Sequence, residues 1–225
     1  MRVETSNQSI NIREDFLAIL SQVGGAVTCS QAKKMLALLG ENALPEHKYR
    51  PESYLLPDAR ARRVTIDKEK EIVFLGSSKT ANLYDKAALW GISCVLDLID
   101  NAGDLTSVRQ YLGGEKVIDF TLHGELYKLI YASSRTTAQV AQIIANSEQQ
   151  IRKIPIDTDT IRPHYLILVT ETEKPLRNLT IKRIGELNIG VPHTIVTVSG
   201  GFEVDKPQFE YFSNEDSEED ESSAE

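Results

Sequence analysis

Two nearly continuous apolar runs restrict the fold of this chain more than any other feature of its sequence. Tyr165–Val169 and Thr194–Val198 are typical of central strands, because strands covered by helices on both faces of a sheet lose the alternation of polar and apolar residues. Helical periodicity lies before and between them, over Asp85–Asp100, Thr136–Arg152 and Pro175–Leu187. The pattern predicts a three-layer α/β domain over residues 82–212.

Further strands are predicted on either side of these runs. Val117–Leu122 and Leu126–Ala132 are joined by the short turn His123-Gly124-Glu125. Arg109–Leu112 and Phe209–Phe212 are shorter strands, the second at an edge of the sheet. Helices and strands therefore alternate in this half of the chain, which favours an α/β sandwich over a second helical bundle.

The N-terminal part has the pattern of two helices joined by a tight link. Residues 1–11 are polar and are expected to be flexible. Apolar residues then recur at helical spacing from Ile12, and the Gly24-Gly25 pair ends the first helix. Thr28 or Ser30 is placed to cap the second helix. The pair predicts a helix-turn-helix.

A basic segment and a β-hairpin follow this helix pair. Residues 48–63 hold five basic and two acidic residues; Pro51 suits the first turn of a helix, and Pro57 is expected to end or kink it. Strand, charged turn and strand are predicted over Arg63–Leu75. This is the order of a winged helix, in which the third helix enters a DNA groove and the hairpin touches the DNA backbone. The sequence therefore predicts a winged-helix domain over residues 12–77.

Basic side chains of this predicted domain are the candidate DNA contacts. The arginines could neutralise phosphates, and the hairpin lysines would contact the backbone as a wing. The DNA-binding candidates are Lys48, Arg50, Arg60, Arg62, Arg63, Lys68 and Lys70. Because Asp67, Glu69 and Glu71 alternate with the hairpin lysines and oppose their charge, a winged helix that binds another protein is the alternative.

Sequence motifs of nucleophilic or nucleotide-dependent enzymes are missing. There is no Gly-x-Ser-x-Gly elbow and no glycine-rich phosphate loop. Cys29 and Cys94 lie far apart without a Cys-x-x-Cys pattern and are predicted to be structural. His164 and His193 each follow a proline at the start of an apolar strand and could approach each other, but no spacing motif supports a metal site there.

The strands around residues 117–132 resemble the core of the PD-(D/E)XK nucleases, in which carboxylates hold a divalent metal and a lysine positions the attacking water. The nearest candidates are Asp119 on one strand and Glu125 with Lys128 on the next. On a regular strand, residues three apart point to opposite faces. Either a bulge at Gly124 restores the geometry, with Mg²⁺ or Mn²⁺ as cofactor, or the catalytic site is lost and no cofactor is needed.

The N-terminal and C-terminal patterns together resemble the plasmid replication-relaxation family of bacterial mobile elements. The resemblance covers residues 12–200 and is one of architecture, carried by Ile12–Leu39, Tyr49–Arg63, Val64–Leu75, Ile118–Ala132 and Tyr165–Val169. It implies a protein that handles DNA on plasmids or conjugative elements. In the nuclease pattern, which we call acid-x-Lys, the acid stands two residues before the lysine, whereas Glu125 stands three residues before Lys128. With this altered spacing, the resemblance implies a nuclease-like fold that binds DNA without cutting it. No catalytic residue of the family is therefore assigned to this chain.

The chain ends in an acidic tail. Residues 213–225 hold seven acids and no base, and without them the net charge of −8 becomes −1. We expect a disordered tail that solubilises the protein, mimics DNA over the basic helix, or docks a basic protein partner. The negative net charge therefore does not exclude a local basic face that binds nucleic acid.

Location and function complete the expectations. No apolar run approaches the roughly 20 residues that span a bilayer, and the start has no hydrophobic signal core, so a cytoplasmic protein without a membrane partner is predicted. The sequence predicts a non-catalytic accessory or regulatory protein of a bacterial plasmid or mobile element that binds duplex DNA through its winged helix. A metal-dependent nuclease and a protein-interaction module are the alternatives.

Overall fold

Helices and strands are mixed along the chain, which makes this an α+β protein. The computed structural model describes residues 2–41, 46–76, 86–111, 117–132, 137–151, 162–170, 193–199 and 208–213. The described strands form a three-stranded sheet in the first half and a six-stranded sheet in the second. The predicted combination of helices with a sheet is therefore confirmed at the level of fold class.

The first helix is longer than the sequence predicts. Helix α1 spans Arg2–Gln22, so the predicted start at Ile12 is wrong. The apolar pattern begins at Ile12 because this residue is buried, whereas Asn11 before it is exposed. Apolar periodicity indicates only the part of a helix that packs on a core. The polar residues before Ile12 therefore gave no helical signal, and their flexibility stays a prediction.

A capped turn leads into the second helix. Both glycines after α1 have positive φ, the backbone region that favours glycine, and the short strand β1 (Ala26–Thr28) follows them. Thr28 caps helix α2 (Cys29–Leu39). Its Oγ1 accepts a hydrogen bond from the Gln31 backbone N–H at 3.1 Å, and Gln31 Oε1 accepts one from the Thr28 N–H at 2.9 Å. Of the two predicted caps, the structure uses Thr28.

The basic segment forms two short helices after a 3₁₀ turn at Glu46–Tyr49. Helix α3 (Pro51–Tyr54) begins at a proline, and helix α4 (Leu56–Arg60) has Pro57 in its first turn, where a missing N–H costs no helical hydrogen bond. The predicted roles of both prolines are confirmed, because Pro51 starts a helix and Pro57 stands where the first helix has ended.

A three-stranded antiparallel sheet lies against the first two helices. The hairpin strands β2 (Val64–Asp67) and β3 (Ile72–Leu75) pair with each other, and β3 also pairs with β1. The strand order is therefore β1-β3-β2. Helices α1 and α2 pack on this sheet, where Phe16, Leu36 and Val73 are buried.

The second sheet has six strands in chain order. Antiparallel pairing joins the first three, parallel pairing joins the third to the fourth and the fourth to the fifth, and the last strand returns antiparallel. The strands are β4 (Arg109–Tyr111), β5 (Val117–Leu122), β6 (Glu125–Tyr131), β7 (His164–Thr170), β8 (His193–Ser199) and β9 (Gln208–Ser213). Each lies close to a strand that the sequence predicts.

Helices cover both faces of the six-stranded sheet. Helix α5 (Lys86–Leu98) packs on one face and helix α7 (Thr137–Ile151) on the other, which gives three layers. A short helix, α6 (Ala102–Ser107), lies where the sequence predicts only a break. Asn101 caps it, since its side-chain oxygen accepts a hydrogen bond from the Asp104 backbone N–H at 2.8 Å.

The two predicted domains share one hydrophobic core. Buried residues from both halves belong to a single cluster, among them Phe16, Leu36, Ile92, Leu129 and Val196. The buried Gln31 side chain also joins them, because its Nε2 donates to the Leu89 carbonyl at 2.6 Å and to Ser93 Oγ at 2.7 Å. Helix α2 is thereby held on α5.

Some sequence predictions fall outside the described residues. These are the helix at Pro175–Leu187, the residues at 77–81 before the second predicted domain, and the acidic tail after Ser213. Among the helices that are described, none combines the length and apolar character needed to cross a membrane. The cytoplasmic location stays a prediction.

Candidate functional site

The predicted DNA-binding residues fall into two groups by their surroundings. Arg63 and Lys70 contact acidic side chains. The other five are exposed and make no ion pair with any described residue; they are Lys48, Arg50, Arg60, Arg62 and Lys68. We call these five residues the cation surface.

The cation surface is positioned by the ends of two short helices and by the hairpin. Arg50 directly precedes α3, and Arg60 is the last residue of α4. Arg62 follows with φ of 59°, and two backbone hydrogen bonds of 3.1 and 2.9 Å close the helix end around it. Lys68 lies in the turn between β2 and β3.

Between these cations, α3 and α4 present one side to solvent. Pro51, Leu55 and Asp58 are buried. We call the exposed positions of the two helices the outer face: Glu52, Ser53, Leu56, Pro57 and Arg60. The outer face therefore carries one acid, one hydroxyl, two apolar side chains and one arginine.

Arg63 belongs to a network of ion pairs that ties α4 to α1. Its guanidinium donates two hydrogen bonds of 2.5 Å to the Glu14 carboxylate and lies 3.3 Å from Asp58 Oδ1. The second oxygen of Asp58 lies 3.1 Å from Arg13 Nε. Two acids thus compete with phosphate for Arg63, so of the predicted contacts it is the least available to DNA.

The bond to Arg63 has a measurable consequence for Glu14. Hydrogen bonding from Arg63 lowers the pKa of the Glu14 carboxyl, against a smaller opposing effect of desolvation. We expect NMR titration to place this pKa below that of an ordinary glutamate, and the Arg63→Ala variant to bring it back. Because the folded pKa is lowered, the stability that the pair contributes is present above the unfolded pKa and is lost as pH falls through the folded pKa. An unshifted Glu14 would contradict the pair.

The hairpin turn is held by an acid. Asp67 Oδ1 accepts hydrogen bonds from the backbone N–H groups of Glu69 and Lys70, each at 3.1 Å, and Lys70 Nζ lies 3.8 Å from Asp67 Oδ2. This arrangement agrees with the expectation that hairpin acids oppose the charge of the lysines. Of the two wing candidates, only Lys68 belongs to the cation surface.

The strand register separates the residues of the proposed nuclease site. Pairing between β5 and β6 is uninterrupted, so no bulge shifts Glu125. Asp119 lies opposite Lys128, with 3.1 Å between Oδ1 and Nζ. Glu125 lies on the face of Leu129, which packs under α5, whereas Lys128 lies on the face of Ile130 under α7. A metal site that combines Asp119, Glu125 and Lys128 is therefore contradicted.

Sequence reasoning missed a polar row beneath α7. Asp119, Lys128, Tyr165 and His193 are successive cross-strand partners on β5 to β8. The buried Glu148 of α7 accepts a hydrogen bond of 2.9 Å from the Tyr165 hydroxyl, whose pKa is raised chiefly by burial. Since the acids have partners, the row acts as a polar layer at one end of the core. Each strand alone contains no signal for this register.

The two strand-entry histidines do not meet. His193 pairs with Tyr165, so His164 is one residue out of register and points to the other face. There His164 Nε2 lies 2.8 Å from Thr194 Oγ1, and its ring contacts that of Tyr127. These contacts rule out a metal site shared by His164 and His193.

Another group of side chains has the composition of a metal site. The nearest ligand atoms of Asp100, Asp104 and His123 lie within 4.8 Å of one another. The Asp104 carboxylate, however, already accepts hydrogen bonds from Asn101 Nδ2 at 2.7 Å and from the His123 backbone N–H at 3.1 Å. These bonds account for the position of Asp104 without an ion. No local sequence pattern indicates this group, because its members lie on different elements.

Both cysteine thiols have raised pKa values. Burial raises the pKa of Cys94 to about 12, and burial together with the nearby carboxylates of Glu52, Glu71 and Asp67 raises that of Cys29 to about 11. Because the thiolate is the nucleophilic form, neither cysteine is suited to nucleophilic catalysis near neutral pH. This agrees with their predicted structural role.

Comparison with known proteins gives no match, whether to family models, to curated proteins or to solved structures. The resemblance to the plasmid replication-relaxation family therefore stays a prediction. Function has to be inferred from the cation surface and its surroundings.

Proposed function

We propose that the protein binds duplex DNA through its N-terminal part, which we interpret as a winged helix. In this proposal it is a non-catalytic accessory or regulatory protein of a bacterial plasmid or mobile element. The second part of that statement rests on the resemblance in sequence pattern alone. Binding itself is supported by the arrangement of elements and by charge.

The order of the N-terminal elements supports a winged helix. Helix, strand, helix, short helices and hairpin follow one another, and β3 of the hairpin lies between β1 and β2 in the sheet. In a winged helix the third helix enters the DNA groove. In this interpretation α3 and α4, which follow α2, stand for that third helix, and the β2–β3 hairpin after them is the wing.

The cation surface is the observation that carries the proposal. Its five side chains are exposed and have no acidic partner within the described ranges, unlike Arg63 and Lys70. Duplex DNA carries a negative charge about every 1.7 Å along its axis, and each cation placed on a phosphate releases condensed counterions. Because these arginines form no ion pair with the residues that the structure describes, we expect them to contact phosphates as Arg63 contacts Glu14 and Asp58.

A non-catalytic role is supported by the strand register. The lysine of the nuclease-like pattern forms an ion pair with Asp119, and Glu125 lies on the other face of the sheet. No second carboxylate of the predicted set joins them. We therefore place the function on the cation surface and not on the six-stranded sheet.

Removing two arginines of the cation surface tests the proposal. We expect Arg60→Ala combined with Arg62→Gly to weaken binding to random-sequence duplex DNA and to reduce the slope of log affinity against log salt by about two. Glycine is chosen at Arg62 because φ is 59° there. The measurement is fluorescence anisotropy over a series of salt concentrations.

The matched control is Arg162→Ala. Arg162 is also exposed, but it precedes β7, lies outside the cation surface and has its Nε 3.9 Å from Glu148 Oε2. It should leave affinity and slope unchanged. An unchanged slope in the double variant, or an equal loss in the control, would remove the cation surface from the interface. A parent protein that fails to bind duplex DNA would contradict the proposal itself.

A further inference from the structure

We infer that the cation surface grips the phosphate backbone without reading bases, so that the substrate is duplex DNA of any sequence. This inference rests on the proposed function and deepens it. It follows from the side chains that the outer face would bring to the centre of a groove, and from the places where the cations stand around that face.

Base readout needs side chains that match the hydrogen-bond pattern of base edges. In the major groove these are chiefly arginine or lysine on guanine, asparagine or glutamine on adenine, and acids on cytosine. The centre of the outer face holds Leu56 and Pro57, which offer no polar group. Ser53 Oγ already donates to the Arg50 carbonyl at 3.2 Å. Among the described side chains, the middle of the outer face therefore offers no hydrogen-bond donor to base edges, and its apolar groups could contact only a thymine methyl.

The cations stand at the ends of this surface. Arg50 directly precedes α3 and Arg60 is the last residue of α4, so the two arginines lie at opposite ends of the segment that carries the outer face. A groove that receives the apolar middle of this segment would therefore have these arginines near the phosphates at its borders. Arg62, which follows α4, would add a phosphate contact at one border.

Glu52 strengthens the inference. It is exposed on the outer face in the first turn of α3. A carboxylate in a groove lined by phosphates is repelled whatever the sequence, and only a cytosine amino group in register would compensate for this. Neutralising this acid should therefore improve binding to every duplex and should not reveal a preference for one.

The experiment compares affinities for several duplexes of equal length and unrelated sequence at one salt concentration. We expect dissociation constants within about threefold of one another and equal salt slopes, since a specific site typically loses more than this with each mismatched base pair. We also expect Glu52→Gln to tighten binding to all duplexes by a similar factor.

Two results would overturn the inference while leaving DNA binding intact. One is a preference of more than about tenfold for one duplex, confirmed by enrichment of a motif from a randomised pool. The other is a Glu52→Gln variant that loses affinity only for cytosine-containing sites. Failure to bind any duplex would overturn both the inference and the proposed function, so the two failures are distinguishable.

Discussion

Gly91→Ala is expected to destabilise the protein by about 3 kcal/mol, at the upper end of the usual cost of overpacking a core. A Cβ atom at this position of α5 would overlap the hydroxyl and ring of Tyr131, with only 2.6 Å to ring atom Cζ. Tyr131 cannot easily yield, because it is buried and its hydroxyl accepts a hydrogen bond from Gln110 Nε2 at 3.0 Å. Urea unfolding followed by Trp90 fluorescence measures the loss.

Helix propensity alone predicts the opposite sign for the change in unfolding free energy caused by Gly91→Ala. In an isolated helix, glycine to alanine is stabilising by about 1 kcal/mol, so a loss must come from the contact with Tyr131. In a Tyr131→Leu background the ring is gone, and Gly91→Ala should then cost little or even stabilise. An equal loss in both backgrounds would show that Gly91 and Tyr131 are not in contact.

Asp58→Ala is expected to cost about 2 kcal/mol. The Asp58 side chain is 4% exposed and lies between Arg13 and Arg63, so its removal leaves two cations without their shared acid. Breaking a fully buried pair costs about 3–5 kcal/mol, and we expect less because the arginines are partly exposed. Denaturant unfolding measures the change in free energy.

Glu14→Gln provides the matched control for Asp58→Ala. It removes the other acid that binds Arg63, but this pair is exposed, with relative side-chain exposures of 42% for Arg63 and 53% for Glu14. Exposed pairs are screened by water and salt and contribute little. Comparable losses of unfolding free energy in the two variants would contradict the difference in burial.

In the DNA assay, Arg63→Ala should alter the salt slope less than Arg60→Ala.

Local patterns predicted most elements of the fold. The apolar runs on β7 and β8, the helical periodicity of α5 and α7, and the two prolines of the basic segment all have the predicted consequences. Each depends on residues within a few positions of one another. The helix at residues 2–11 and α6 were missed for the same reason: the first lies outside the apolar pattern, and the second is a six-residue helix announced only by Asn101, which is also common in turns.

The candidate site was predictable only in part. Arg50, Arg60 and Arg62 are in the set predicted from the sequence, and the structure shows all three exposed next to or at the ends of α3 and α4. The engagement of Arg63 does not follow, because its partner Glu14 lies 49 positions away in the chain. Whether a cation is available to DNA thus depends on a contact between two segments that no local pattern records.

The sequence by itself determined most of the segments that become helices and strands, where charge accumulates, and that the acid-x-Lys spacing is wrong for a regular strand. Tertiary structure alone decided that the two predicted domains share a core, that Asp119 faces Lys128 and not Glu125, and that Arg63 is paired while Arg60 is exposed. The physical reason is the distance along the chain over which each interaction acts. Periodicity and caps act over a few residues, whereas strand register and ion pairing join residues that only the packed chain brings together.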